Sequence, residues 1–266
     1  LDDLMISFSV PGGGVGPHID QYDVFIIQGM GSRRWRVGDK LPMRQFCPHP
    51  ALLHVDPFPP IIDEDLQPGD ILYIPPGFPH DGITHETALN YSVGFRGPNG
   101  RDLISSFADY VLENDLGGEH YSDPDLTCRE HPGRVEEYEL ERLRTMMIDM
   151  IRQPEDFKQW FGSFVTTPRH ELDIAPAEPP YEEEEVVDAL LGGEKLSRLS
   201  GLRVLHIGDS FFVHSEQLDT TDAEALDALC RYTSLGQEEL GSGLQNQAFV
   251  SELTRLINQG YWYFEE

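Results

Sequence analysis

The sequence has few cysteines for its length. Three cysteines occur in 266 residues, and no two of them form a Cys-x-x-Cys pair. A structural zinc site or a disulfide framework is therefore not expected, and a reducing, intracellular compartment suits this cysteine usage. No apolar run approaches the roughly 20 residues that span a bilayer. We therefore expect a cytoplasmic protein that does not enter the membrane.

Basic residues are also scarce. The sequence has 19 Lys and Arg against 47 Asp and Glu, which gives a formal net charge of −28. Binding to nucleic acids or to anionic membranes depends on basic residues that meet phosphate groups, so we expect neither. The negative field instead attracts a basic partner, such as a cationic protein. Hydrophobic residues make up 39% of the chain, which is enough for an ordinary globular core.

Residues 1–100 have the pattern of a β-rich domain. Short apolar and β-branched runs alternate with Gly and Pro clusters such as PGGGVGP at 11–17 and IPPGFP at 74–79. This pattern is typical of short strands joined by turns. Because no helical crossovers separate the strands, the sequence favours an antiparallel barrel or jelly roll over a doubly wound sheet.

Helical patterns begin after residue 100. Residues 101–168 contain amphipathic segments, one of which starts at Pro154, and their Met- and aromatic-rich stripes fit either a cover for the sheet or an oligomer interface. Residues 169–266 combine helices with a hairpin at Gly208-Asp209, which predicts a small winged-helix-like domain. The Pro- and Glu-rich segment PAEPPYEEEE at 176–185 is typical of a linker and indicates a domain boundary near it. Because this end of the chain is its most acidic part, we interpret it as a protein-contact or structural module.

The motif best suited to chemistry is His18-Ile19-Asp20. Residues two apart on a strand point to the same face, so this imidazole and carboxylate can bind one metal if another strand supplies a third ligand. His80 is placed to do so, because it follows a turn, the strand-like ILYI and a Pro-Gly turn in QPGDILYIPPGFPH. Two histidines and one carboxylate leave three coordination positions open, as in non-haem Fe(II) oxygenases. We predict that His18, Asp20 and His80 are the metal ligands and the catalytic centre.

Other histidines compete for this role. A second His-x-Asp motif lies at 54–56, but the proline that follows places its aspartate at a strand end or in a loop. His85 and His49 lie in the same domain without comparable flanking turns and strands. Taken alone, His80 fits a surface loop as well as it fits a metal site.

An Fe(II) centre with open positions needs an electron source for O2 activation, and a chelating 2-oxo acid can provide it. The far carboxylate of such an acid requires a cation, and GSRRWRVG at 31–38 offers three arginines. Arg33 shares a strand face with Trp35, whose indole is expected to be buried, so Arg33 is predicted to point inward and bind the carboxylate. Arg34 and Arg36 lie on the other face and fit a solvated turn.

Several segments together resemble the JmjC-type, cupin-like ribosomal oxygenases of bacteria: SFSVPGGGVGPHIDQYDVFIIQG, RRWRVG, PGDILYIPPGFPH and LNYSVGFR. The resemblance continues through HELDIAPAEPPY and GLRVLHIGD and covers essentially the whole chain. It implies an α+β fold with a double-stranded β-helix (jelly-roll, cupin-like, JmjC) catalytic core at 1–100. A helical dimerisation segment at 101–168 and a winged-helix-like C-terminal domain at 169–266 would follow. Family members carry outer barrel strands before this point, so we expect those strands to be absent from this sequence.

The resemblance also implies an activity. Members of the family are Fe(II)- and 2-oxoglutarate-dependent and use O2 to hydroxylate the β-carbon of an arginine in a large-subunit ribosomal protein. Such a basic client suits an acidic chain, and a homodimer is implied by the helical segment. The resemblance places the three predicted ligands at Fe(II) and Arg33 at the C5 carboxylate of 2-oxoglutarate. It matches Ser9 and Asn90 to polar positions of the co-substrate pocket, although by themselves they are only polar residues in apolar strands.

Two other functions stay open on the residues alone. A JmjC-type demethylase or a small-molecule cupin dioxygenase would use the same scaffold, and a demethylase would release formaldehyde where a hydroxylase leaves a stable alcohol. A metal-free dimeric scaffold protein would bind no iron and would keep its function after His18→Ala.

Overall fold

The structure is a computed structural model that describes residues 3–49, 52–219 and 222–265. It divides into two compact units, Leu1–Gly100 and Arg101–Glu266. The strands of the first unit are β1 (Asp3–Ser9), β2 (His18–Ile19), β3 (Asp23–Met30), β4 (Arg33–Gly38), β5 (Gln45–His49), β6 (Leu52–Val55), β7 (Pro60–Leu66), β8 (Ile71–Ile74), β9 (Pro79–Thr84) and β10 (Ala88–Phe95).

The first unit is built from two antiparallel sheets. One has the strand order β1-β10-β3-β8 and the other β5-β6-β2-β9-β4-β7. Apolar side chains from both sheets form one buried cluster, so the sheets face each other; its members are Val24, Ile26, Trp35, Val37 and Ile74. Because successive side chains of a strand alternate between faces, each inner residue has its neighbours on the outer face. The predicted jelly-roll arrangement of this unit is confirmed.

The second unit is mostly helical with short strands. Its helices are α1 (Gly100–Glu113), α2 (Glu137–Arg152), α3 (Pro154–Thr166), α4 (Glu183–Leu191), α5 (Ala223–Arg231), α6 (Gln237–Leu240) and α7 (Gln247–Asn258), with a 3-10 helix at Gly241–Gln245. Its strands are β11 (Leu196–Arg198), β12 (Val204–Ile207), β13 (Ser210–Val213), β14 (Glu216–Gln217), β15 (Ser234–Leu235) and β16 (Trp262–Phe264). They form two three-stranded sheets, β12-β13-β14 and β15-β11-β16.

The predicted hairpin at Gly208-Asp209 is present between β12 and β13, with Gly208 at a positive φ of 58°. Helix α3 packs on this hairpin. A Cβ added to Gly162 would clash with the ring of Phe212, which is fully buried, so only glycine allows the helix to approach this closely. The division at residue 168 stays a prediction. Among the residues that the structure describes, no helix is long and apolar enough to cross a membrane.

Candidate metal and co-substrate site

The antiparallel ladder between β2 and β9 positions the two predicted histidine ligands. His18 lies directly opposite His80, and their ring centroids are 4.2 Å apart. Asp20 follows β2, where its carbonyl oxygen accepts a 2.8 Å hydrogen bond from the Gly77 N–H. The Pro-Gly turn that leads into β9 therefore also holds the segment that carries the aspartate.

The ligand atoms of these three residues converge. One atom each from His18, Asp20 and His80 lies within 4.8 Å of the others, and among the described residues this is the one group of three or more His, Cys, Asp or Glu with such spacing. His80 Nε2 is 3.5 Å from Asp20 Oδ2, and the side chain of His80 is only 2% exposed against 21% for Asp20. Two imidazoles and one carboxylate on one side leave the other side open, which suits Fe(II).

Backbone carbonyls orient both imidazoles. His18 Nδ1 lies 2.8 Å from the carbonyl oxygen of Gly16, and His80 Nδ1 lies 3.1 Å from that of Phe78. Because a carbonyl oxygen only accepts, each Nδ1 carries the proton and donates, which leaves each Nε2 with a lone pair for a metal.

The electrostatics favour the protonation states that a cation needs. Burial, followed by the nearby His80, lowers the pKa of His18 below its usual value. Burial alone would raise the pKa of Asp20, but the close approach of His80, and then that of His18, outweighs it and lowers that pKa. A neutral imidazole and an ionised carboxylate are the metal-binding forms of these side chains.

The competing residues occupy other positions. His54 lies opposite His18 in the ladder between β2 and β6 and stacks on Phe46 at 5.8 Å between ring centroids. Asp56 and His85 are exposed. The side chain of His49 lies outside the described residues.

Arg33 points into the barrel. Arg34 lies on the outer face and forms an ion pair with Asp63, with 2.6 Å between Arg34 Nε and Asp63 Oδ1. The Arg33 side chain is 5% exposed. Its Nη1 donates to Asn90 Oδ1 at 2.6 Å and its Nη2 to the Gly82 carbonyl oxygen at 3.1 Å. Burial lowers the pKa of Arg33, opposed by the charge of Asp81. A buried guanidinium whose hydrogen-bond acceptors are neutral favours an anionic ligand beside it.

One wall of the barrel connects the triad with Arg33. The Trp35 ring centroid is 6.2 Å from that of His80, and the guanidinium carbon of Arg33 lies 4.8 Å from the centroid of the indole. Sequence reasoning missed Gly82, which lies opposite Trp35. A Cβ at Gly82 would lie 2.8 Å from Arg33 Nε. The spacing of two residues from His80 is the signal that would have placed Gly82 on the same face.

The two remaining predicted residues are on the opposite sheet. Asn90 is 1% exposed and contacts Arg33 across the barrel. Ser9 lies at the end of β1 opposite Ala88, two residues along β10 from Asn90. A role for Ser9 in co-substrate binding stays a prediction.

Comparisons with known proteins match both parts of the chain. Residues 1–103 match the JmjC domain family, and residues 149–263 match the ROXA-like winged helix. The ribosomal protein uL16 3-hydroxylase of Escherichia coli K12 is 62% identical over 265 residues, which is 100% of this chain and 71% of that protein. A probable ribosomal oxygenase of Haemophilus influenzae is 33% identical over 192 residues, or 65% of this chain and 46% of that protein.

Solved structures agree with this. The X-ray structure of E. coli ycfD has a TM-score of 0.95 at 62% identity and covers 99% of this chain and 71% of that one. The E. coli ribosomal oxygenase YcfD in complex with cobalt and 2-oxoglutarate has a TM-score of 0.92 at 60% identity, covering 100% and 70% of the two chains.

Proposed function

The chain belongs to the JmjC-domain ribosomal oxygenases, and from this membership we propose that it is an Fe(II)- and 2-oxoglutarate-dependent oxygenase that hydroxylates an arginine of the ribosomal protein uL16 at its β-carbon. The observation that carries the proposal is the convergence of His18, Asp20 and His80. The arginine is the residue that the sequence resemblance implies. The uL16 protein and position 3, the β-carbon, come from the name of the E. coli relative.

His18, Asp20 and His80 hold the metal in this proposal. The donor set fits Fe(II), because the Nε2 atoms of both histidines are free to bind a metal while their Nδ1–H groups donate to carbonyl oxygens. When bound, Fe(II) and 2-oxoglutarate together activate O2 to oxidise a C–H bond, with loss of CO2 and formation of succinate. The chain positions the reactants and excludes water, because His18 and His80 are both buried.

Arg33 binds the far carboxylate of 2-oxoglutarate. The supporting observation is the wall from His80 over Trp35 to Arg33, which ends in a buried cation. Asn90 holds the guanidinium in place with its 2.6 Å hydrogen bond. Ser9, at the end of β1 beside β10, is the proposed further polar residue of this pocket. A dicarboxylate can therefore bind the metal at one end and the guanidinium at the other.

The client is a basic protein. Ribosomal proteins carry excess positive charge, and the net charge of −28 on this chain attracts them over distance. The same charge opposes direct binding to ribosomal RNA. We place the reaction in the cytoplasm, since the client is made and assembled there.

The first test is an anaerobic titration with Fe(II) and 2-oxoglutarate. Its readout is the visible charge-transfer band of the chelated 2-oxo acid. Wild type should develop the band and Asp20→Ala should lose it. Asp56→Ala is the matched control, because it removes the aspartate of the other His-x-Asp motif, which is exposed. Absence of the band in folded wild type, or its equal loss in both variants, contradicts the proposed site.

The second test adds O2 and purified uL16 and analyses the products by mass spectrometry. The proposal expects one additional oxygen atom, located by fragmentation on the β-carbon of an arginine. Release of formaldehyde would instead identify a demethylase, and oxidation of 2-oxoglutarate with unmodified uL16 would indicate another client.

We also propose that the chain forms a homodimer through its helices. A groove of about 570 Å³ with almost wholly apolar walls lies between α1, α2 and α3. Its rim exposes large side chains, including Leu112 at 78% and Met147 at 66%, and contiguous apolar surface of this kind is typical of protein interfaces.

Sedimentation velocity should show a dimer that Leu112→Asp converts to a monomer. Leu191→Asp, at an exposed leucine on α4, should leave the dimer intact; dimers in both variants would refute this interface.

A further inference from the structure

Thr84 is the last residue of β9 and lies directly opposite Arg33 in the ladder with β4. Opposite residues of an antiparallel pair share a face, so the Thr84 side chain faces the barrel interior with Arg33. It is 1% exposed. Its backbone carbonyl accepts from the Gly12 N–H at 2.8 Å, and its N–H donates to the Gly13 carbonyl at 3.3 Å. The loop that carries Gly12 and Gly13 therefore binds the Thr84 backbone and leaves its hydroxyl available.

Three buried donors on this wall have no hydrogen-bond partner within the described part of the chain: Arg33 Nε, Trp35 Nε1 and Thr84 Oγ1. Buried polar groups without a partner are uncommon, because each loses its hydration without compensation. All three belong to adjacent positions on β4 and β9, and all three can donate. Of the three, Thr84 lies directly opposite Arg33, and a carboxylate, which accepts several hydrogen bonds, is the kind of ligand that such donors would bind.

An unpartnered buried hydroxyl alone does not define a site. Thr254 on α7, in the second unit, is 6% exposed, and its hydroxyl likewise lacks a partner among the described residues. Thr84 differs because it lies across the ladder from a buried guanidinium, on the face that carries His80 four residues earlier. We propose that the Thr84 hydroxyl donates a hydrogen bond to the far carboxylate of 2-oxoglutarate, beside Arg33.

This inference rests on the proposed function, and it assigns Thr84 a part in selecting a dicarboxylate co-substrate. A 2-oxo acid with a methyl group in place of the far carboxylate, such as 2-oxopentanoate, can still chelate the metal but offers nothing to Thr84. The contribution of the hydroxyl is therefore measurable as the difference between the two ligands.

The experiment is calorimetric titration of the Co(II)-loaded protein with 2-oxoglutarate and with 2-oxopentanoate, which reads binding without turnover. Thr84→Val keeps the size of the side chain and removes the hydroxyl, whereas Thr84→Ser keeps the hydroxyl. The valine variant should bind 2-oxoglutarate roughly 10- to 100-fold more weakly, as expected for a lost hydrogen bond to a charged group. Its affinity for 2-oxopentanoate should not change, and Thr84→Ser should retain most of the affinity for 2-oxoglutarate.

Thr254→Val is the matched control and should bind both ligands as wild type does. Wild-type affinity for 2-oxoglutarate in Thr84→Val overturns the inference, and so does an equal loss for both ligands, which would reflect a disturbed metal site. If wild type itself fails to bind 2-oxoglutarate, both the proposed function and the inference that rests on it are refuted. Thermal unfolding and Co(II) affinity of each variant, measured in parallel, show whether the fold and the metal site are intact.

Discussion

Gly82→Ala should displace the Arg33 guanidinium while leaving the metal site in place. A Cβ at Gly82 would lie 2.8 Å from Nε, 2.9 Å from Nη2 and 3.0 Å from Cζ of Arg33. These distances are shorter than van der Waals contact allows, so one group must move. Gly82 lies within β9 without a positive φ, and alanine therefore fits the backbone. The flexible end of the arginine, and not the strand, should give way.

The displacement should weaken 2-oxoglutarate binding in a predictable range. Arg33 would lose the geometry of its 2.6 Å hydrogen bond to Asn90 and its aim at the co-substrate carboxylate. A hydrogen bond that involves a charged group contributes about 1.5–3 kcal/mol, and about 1.4 kcal/mol corresponds to a tenfold change in affinity. We therefore expect binding of 2-oxoglutarate to weaken by roughly one to two orders of magnitude, with Co(II) affinity unchanged.

Fluorescence or calorimetric titration of the Co(II)-loaded protein measures this effect, and thermal unfolding checks the fold. Gly97→Ala is the control, because a Cβ there meets no atom within 4 Å. Gly82→Ala that binds 2-oxoglutarate as tightly as Gly97→Ala would refute the importance of the guanidinium position. Loss of Co(II) binding would show that the strand moved instead of the arginine, which would also contradict this reasoning.

Three further predictions concern the second unit. Gly162→Ala should lower the free energy of unfolding by about 1–3 kcal/mol, as overpacking does, because the new methyl group meets a fully buried ring; denaturant unfolding with an unchanged midpoint would disprove this. Cys230, whose pKa burial raises to about 11, should react with iodoacetamide at pH 8 far more slowly than the exposed Cys128; equal rates by peptide mapping would contradict it. The hydrogen bond from Arg129 lowers the pKa of Glu139 from 4.5 to about 2, so its stabilisation is complete above about pH 4.5 and is lost as the pH falls towards 2. Glu139→Gln should therefore be less stable than wild type at pH 7 and approach it near pH 2, and a constant difference across this range in urea unfolding would refute the linkage.

The sequence was sufficient for the features that depend on local periodicity. The spacing of His18 and Asp20 predicts that they share a side, and their ligand atoms do converge, although β2 ends at Ile19. Arg33 points inward because it shares a face with the buried Trp35. The turns around the strand-like ILYI were visible from Gly and Pro alone. The JmjC fold and the oxygenase family were equally accessible, since the motifs that carry them are contiguous in the chain.

Only the tertiary structure decided which distant residues meet. The ladder between β2 and β9 places His80 opposite His18, while His54, opposite the same residue on the other edge of β2, falls outside the ligand group. The contact of Arg33 with Asn90, 57 residues apart, depends on how the two sheets face each other. Sequence periodicity specifies the face of a strand, but register and sheet packing are set by the whole core. The sequence could therefore place Gly82 and Thr84 on the face of His80, but not opposite Trp35 and Arg33.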